Sequence, residues 1–575
     1  MTGAAQGLVR LPVSRARFVL ASLLAAFAML GARSVYLQAM KTDFLQGKGE
    51  ARYSRVLEIP ATRGRVMDRN GEALAVSTPV KSVWAIPSDV NLSAPDGKKL
   101  ARLLGMEPAD LDRRLNGGAS DFVYLKRQIA PETAEAIEAL QLKGIHQQRE
   151  FRRYYPGGEV TAHVVGFTGI DDAGQEGVEL AHQETLGGKA GSRRVIKDRL
   201  GHVVEDVESI QAAQAGADLT LAIDGKIQSL AFGALKAAVE QHRARAGAIV
   251  ALDVRTGEIL ALANMPSYNP NNRARLNGAQ LRNRVITDSF EPGSTLKPFT
   301  VALALESGRL TPESPVATNS GRMTIGNYTI HDSHPAAAMS VAQVIQKSSN
   351  VGAAKIALGL PREALWNLFR RVGFGAAPEL GFPGAAAGKV RNFRSWQPIE
   401  QATMAYGHGI SVSLLQLARA YSVFARDGEL VPLTLVKTGV LASGEKVLSV
   451  QTARAVRAML ELAVQNGGTG PRARIMGWRV AGKTGTAHKQ EGSGYSSSKY
   501  LSSFVGFAPA SAPRLIVAVM IDEPSAGQYY GGVVAAPVFA QVMQGALRLL
   551  GEPHDAPLEL LELPGEAADD LKEST

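Results

Sequence analysis

From Phe18 to Ala32 the chain is almost continuously apolar, and after Arg33 the pattern resumes at Val35, Tyr36 and Leu37. About 20 such residues cross a bilayer, so residues 18–37 predict a transmembrane anchor behind a short cytoplasmic stretch, residues 1–17, with Arg33 extending its charge to the interface. A cleaved signal peptide has an apolar core of similar length, but no clear Ala-x-Ala site follows. Arg10, Arg15 and Arg17 precede the run, and Lys41, Lys48, Arg52 and Arg55 follow it. Charge bias alone therefore orients the anchor weakly. Residues 50–217 read as short strands punctuated by turn signals at Asp68–Gly71 and Asp171–Gly174, with a hairpin expected around Asp198–Gly201. From residue 218 the period changes. Asp224 is placed to cap a helix running to about Arg243, with Ile227, Leu230, Ala231, Ala234, Leu235 and Val239 on its apolar side. Ala248–Asp253 and Glu258–Ala263 form a second predicted hairpin. Trp478–Ala481, Ser503–Phe507 and Leu515–Ile521 are strand-like, and helical stretches lie between, such as Leu414–Phe424 behind a Ser413 cap. Strands at both ends with helices in the middle predict an α+β domain, residues 218–551, whose sheet is closed by sequence-distant strands.

Composition narrows the chemistry. The 575 residues include no cysteine, which excludes a disulfide framework, thiolate metal ligands and a cysteine nucleophile. The formal charge is +10. Residues 552–575 carry eight acids against Lys572 and read as a solvated, disordered tail, so the body is more basic still. A basic body suits nucleic acid, anionic lipid or an acidic polymer. Zinc-ligand spacing, a phosphate-cradling loop and an aromatic-interleaved basic run are all missing, which argues against nucleic acid, a metal and a cofactor.

Glu291-Pro-Gly-Ser294-Thr-Leu-Lys297 places a hydroxyl and an amine three residues apart at the mouth of a predicted helix that continues through Phe299 and Leu303 to Gly308. A serine hydroxyl needs an adjacent base, and a lysine can serve only when unprotonated. Alone, the quartet reads better as a helix start with a solvated lysine. Downstream, however, stand Ser348-Ser-Asn350 and Lys483-Thr-Gly-Thr486. Brought together, Lys483 would disfavour the charged form of Lys297, and Ser348 between them could relay a proton to a leaving amine. Asn350 could hold a substrate amide. Strand alternation puts Lys483 and Gly485 on one face and Thr484 and Thr486 on the other; the threonine hydroxyls suit a substrate carboxylate, and Gly485 suggests close approach of a ligand. His163, His331 and His408 are the histidines nearest these motifs and are expected to be satisfied loop or core residues.

The order Ser-x-x-Lys, Ser-x-Asn, Lys-Thr-Gly is shared with penicillin-binding proteins and class A β-lactamases. Together with Arg63-Gly-Arg-Val-Met-Asp68-Arg-Asn-Gly71, Arg153-Tyr-Tyr-Pro156-Gly, Gly174-Gln-Glu-Gly177-Val-Glu179, Pro266–Asn271 and Arg282-Asn-Arg284, it makes the chain resemble the class B penicillin-binding proteins, and within them the division-type septal peptidoglycan transpeptidases. The resemblance implies a strand-rich pedestal (dimerisation-type) domain over residues 50–217, then a serine β-lactamase-like transpeptidase domain, an antiparallel sheet sandwiched by helices. It implies Ser294, Lys297, Ser348 and Lys483 as catalytic residues, Asn350, Thr484, Gly485 and Thr486 as substrate-binding ones, and an oxyanion hole from the backbone N–H groups of Ser294 and Thr486. It also implies a D-Ala-D-Ala stem pentapeptide as substrate, β-lactams as covalent ligands, location in the inner membrane with the catalytic domain outside at the division site, and the septal glycan polymerase FtsW and division regulators as partners. The alternatives are a D,D-carboxypeptidase or β-lactamase-like hydrolase, against which the anchor and pedestal argue, and a penicillin-binding sensor or scaffold, against which the intact motifs argue.

Overall fold

The computed structural model describes residues 12–37, 54–116, 122–197, 203–492 and 494–558. Arg10, Lys41, Lys48, Arg52, the turn Asp198–Gly201 and the acidic tail beyond residue 558 lie outside them. The apolar run is a helix, Val13–Val35, with mean hydropathy 1.9 and no buried residue. Its 23 residues span about 34 Å at 1.5 Å per residue, enough for the ~30 Å hydrocarbon layer. It starts five residues before Phe18, so Arg15 and Arg17 lie in its first turns and Arg33 in its last.

The chain divides into two compact units. In the first, drawn from residues 1–61, 79–150 and 189–215, the strand Gly191–Lys197 lies between Ser54–Ile59 and Val203–Gln211, antiparallel to both, so the expected hairpin is present. In the same unit, Val123–Ile129 pairs with residues 81–85. The helices Ala94–Leu104, Pro108–Asn116 and Pro131–Glu138 bury Leu100, Leu104, Leu111 and Ile137 with Val83 and Leu125. The strand and turn signals of this stretch do not announce these helices. They are short, and two start on a proline, a residue that doubles as a turn signal.

The second unit takes residues 62–78, 151–188 and 216 onward. Helix α1 (Gly225–Gln241) is capped as expected, the Asp224 carboxylate accepting from the N–H groups of Lys226 and Ile227. Strands β1 (Ala246–Asp253) and β2 (Ile259–Met265) make the predicted hairpin. Helices α2 (Lys297–Glu306), α3 (Val341–Gln346), α4 (Asn350–Leu358), α5 (Leu414–Ala420) and α6 (Val450–Leu462) follow. Ser413 caps α5, accepting from Gln416 N–H, but the helix stops four residues before Phe424. Strands β3 (Ala481–Glu491), β4 (Gly494–Ala508) and β5 (Leu515–Asp522) precede α7 (Ala536–Leu549). The sheet runs β2–β1–β5–β4–β3 with every pairing antiparallel, so early and late strands do close one sheet. β3 starts at Ala481, three residues after Trp478, and forms its edge. β1 and β5 are buried throughout, because α1 and α7 cover one face, through Leu235, Phe539 and Met543, while α5 lies on the other, through Leu414 and Leu417.

Three of the amino-half motifs meet in this unit. Glu179, fully buried, receives Arg63 Nε at 2.5 Å and Arg153 Nε at 2.7 Å. Five residues on from Arg63, Asp68 Oδ2 accepts from Gly225 N–H at the start of α1.

Candidate active site

Ser294 lies in a 3₁₀ turn, Gly293–Leu296, and α2 proper begins at Lys297. A 3₁₀ turn repeats every three residues, so positions i and i+3 eclipse; Lys297 Nζ consequently lies 2.8 Å from Ser294 Oγ. The helical spacing in the sequence brings the pair together, through a tighter turn than an α-helix provides. Lys297 and Ser294 are buried, at 0% and 3% exposure.

Ser348 joins the second motif to the first and third. Lys297 Nζ donates to its Oγ at 3.0 Å and to its carbonyl at 2.5 Å, and Lys483 Nζ donates to the same Oγ at 3.0 Å. The backbone that presents this hydroxyl is left-handed, with φ +59° at Ser348. Such a conformation costs on the order of 1–3 kcal/mol in a residue with a Cβ and must be held by its surroundings. Asp332 provides part of the hold, accepting Ser349 Oγ–H at 2.6 Å and Val351 N–H at 3.0 Å. Asn350 is buried at the start of α4 and donates to His331 O.

Lys483 projects from edge strand β3. Thr484 Oγ1 lies 3.1 Å from Lys483 Nζ and 2.7 Å from Thr469 Oγ1, whereas Thr486 Oγ1 accepts Gly531 N–H at 3.0 Å. At Gly485 the close approach is made by the chain itself: an added Cβ would lie 2.5 Å from Ser503 Oγ, 2.9 Å from Thr295 Cγ2 and 3.0 Å from Pro292 O. Glycine lets the edge of the sheet meet the nucleophile turn.

The structure thus brings Ser294, Lys297, Ser348 and Lys483 into one hydrogen-bonded cluster, with Asn350 beginning the helix after Ser348 and Thr484 on the strand beside Lys483. Sequence reasoning passed over Asp332 and Thr469, which occur in no motif and reach the cluster only through folding. Glu291 opens the motif that carries Ser294. Its Oε1 accepts Gly409 N–H at 2.8 Å and the Tyr495 hydroxyl at 3.0 Å, and burial raises its pKa. Of the three histidines, His163 is a satisfied core residue, bonded to Gln280 O at 2.7 Å, and burial pushes its pKa down to about 4. His331 contributes its carbonyl. His408 follows Gly407, whose carbonyl accepts Gly293 N–H beside Ser294, and burial pushes its pKa down to about 4.

Residues 247–544 match the penicillin binding protein transpeptidase domain, and residues 58–221 match the penicillin-binding protein dimerisation domain. The chain is a penicillin-binding protein. Among its relatives, a probable peptidoglycan D,D-transpeptidase, PenA of Neisseria gonorrhoeae, is 43% identical over 95% of this chain and 94% of its own. The peptidoglycan D,D-transpeptidase FtsI of Escherichia coli K12 is 43% identical over 93% of this chain and 91% of its own. Among solved structures, the transpeptidase domain of Burkholderia pseudomallei penicillin-binding protein 3, in its apo form, is 49% identical with a TM-score of 0.55, covering 59% of this chain and 98% of that one.

Proposed function

We propose that this penicillin-binding protein is a serine D,D-transpeptidase that cross-links peptidoglycan stem peptides at the division septum and is acylated by β-lactams. The observation that carries the reading is the Ser294–Lys297–Ser348–Lys483 cluster, in a chain related along nearly its whole length to peptidoglycan D,D-transpeptidases. In the first half-reaction Ser294 Oγ attacks the carbonyl between the two terminal D-alanines, and Lys297, as the free amine, takes its proton. The C–N bond breaks, and the proton passes by way of Ser348 to the leaving D-alanine amine. The N–H groups of Ser294 and Thr486 stabilise the oxyanion. Lys483, with the hydroxyls of Thr484 and Thr486, faces the terminal carboxylate; Asn350 holds the peptide amide; Gly485 keeps the strand close enough for both. In the second half-reaction an amine from another stem peptide displaces Ser294.

The Val13–Val35 helix supports a single-pass anchor in the inner membrane with the catalytic unit on the periplasmic side, where stem peptides lie. A transpeptidase needs a supply of glycan strands, which fits a septal polymerase such as FtsW, with division regulators, as partners. The domain reading carries over with the same boundaries: residues 50–217 as pedestal, 218–551 as transpeptidase and 552–575 as tail.

The test is intact-mass analysis of the full-length protein in detergent after benzylpenicillin, with product analysis on a stem pentapeptide plus an acceptor amine. One adduct, absent in Ser294→Ala, and a cross-linked product are expected. An adduct that survives in Ser294→Ala overturns the nucleophile, and a penicilloyl adduct lost within seconds with hydrolysis dominant at saturating acceptor replaces the transferase with a hydrolase.

A further inference from the structure

His408 has no part in the chemistry above, yet its surroundings are those of a working group. It lies in the segment Tyr406–Gly409, which crosses the nucleophile turn: Gly293 N–H donates to Gly407 O at 3.3 Å, and Gly409 N–H donates to Glu291 Oε1 at 2.8 Å. The contact is close enough that a Cβ at Gly407 would lie 2.2 Å from Gly293 O. His408 is therefore pinned on both sides to the turn that carries Ser294. Its half-buried ring packs edge-on against Tyr406 at 5.2 Å and stacks on Tyr495, near the tip of the β3–β4 hairpin, at 5.9 Å. Among the described residues its ring nitrogens have no hydrogen-bond partner.

We propose that His408 receives the acceptor amine of the second stem peptide and so sets the partition of the acyl-enzyme between cross-linking and hydrolysis. The inference rests on the transpeptidase reading and concerns its second half-reaction. There the amine nitrogen bonds to the acyl carbon, the bond from that carbon to Ser294 Oγ breaks, and one amine proton ends on Oγ. Lys297, 2.8 Å from that oxygen, is the group to carry the proton. His408 does different work. Desolvation above all pushes its pKa down to about 4, so at neutral pH the imidazole is uncharged and offers a lone pair. The acceptor arm arrives as an ammonium, which the uncharged ring does not repel, and gives one proton to bulk solvent; the free amine then donates a hydrogen bond to the ring, which aims its nitrogen at the ester without competing for the proton that passes to Oγ. The exposed ring of Tyr495 beside His408 suits the methylene stem of such an arm better than a lone water, which favours aminolysis.

The experiment uses the full-length protein in detergent with a thioester donor and D-alanine as acceptor, reading the ratio of aminolysis to hydrolysis against acceptor concentration. Both products come from one acyl-enzyme, so slower acylation or partial unfolding lowers both and leaves the ratio intact. His408→Phe keeps a stacking ring and removes both nitrogens; the ratio should fall tenfold or more, with a higher half-saturating D-alanine concentration. His408→Gln, which restores an acceptor atom, should recover part of the loss. A ratio in His408→Phe within twofold of the parent, or equal losses in the Phe and Gln variants, overturns the proposal. A parent protein that only hydrolyses the donor overturns the transpeptidase reading instead.

Discussion

The catalytic unit buries two pairs of cations and treats them in opposite ways. Arg63 and Arg153 meet over Glu179, a carboxylate with each oxygen taken by one guanidinium. Lys297 and Lys483 meet over Ser348, a hydroxyl that carries no charge to offset theirs. Guanidinium stays protonated in a protein, so an arginine pair needs a counter-charge and becomes a fixed joint. An amine can lose its proton, so a lysine pair around a hydroxyl can exist with one member neutral and able to act as a base. The residue type and the group between the cations separate a joint from a site.

Exchanging the cation types should break this contrast most sharply. Lys297→Arg puts a permanent charge where a base is needed, and benzylpenicillin acylation, followed by quenched-flow mass analysis, should fall by roughly 10²–10⁴, the range of general-base catalysis. A loss below tenfold, with the fold intact by circular dichroism, would count against Lys297 as the base. Lys483→Arg keeps the charge that the substrate carboxylate meets, so a measurable share of the acylation rate should remain; equal losses in the two variants would erase the division of roles.

At the joint, Glu179→Ala leaves two buried guanidiniums without their carboxylate, a loss of about 3–5 kcal/mol, to be read as a lower thermal midpoint for the catalytic unit. Acylation per folded molecule should stay near the parent value, because Glu179 touches no group of the Ser294 cluster. A normal midpoint with impaired acylation would turn the joint into part of the site.

The smallest effect concerns an uncharged buried base. Burial holds His163 at a pKa of about 4 against the ordinary 6.5. A histidine depressed in this way favours the folded state above pH 6.5 and withdraws that support as pH falls from 6.5 through 4, because the unfolded chain takes up the proton first. The stability lost across this window should be on the order of 3 kcal/mol for this group. His163→Gln should flatten the corresponding part of the stability–pH curve measured by urea unfolding, and a curve of unchanged slope would show that His163 is not the group responsible.

Much of this protein is written in local pattern. The apolar run predicts its helix, Asp224 and Ser413 predict their caps, and Ser294-x-x-Lys297 predicts its contact, because each depends on residues a few positions apart. The three sequence motifs likewise announce which side chains matter, since acyl transfer requires a nucleophile, a base and a relay of those types. Tertiary structure decided the rest. It chose a 3₁₀ turn over an α-helical one at Ser294, forced Ser348 into a left-handed conformation, and recruited Asp332 and Thr469 from stretches with no motif. It set Glu179 between Arg63 and Arg153, and laid the segment that carries His408 across the nucleophile turn. These arrangements join residues tens to hundreds of positions apart, and such contacts exist only after the chain has met the entropy of closing the loops between them, which no local pattern records.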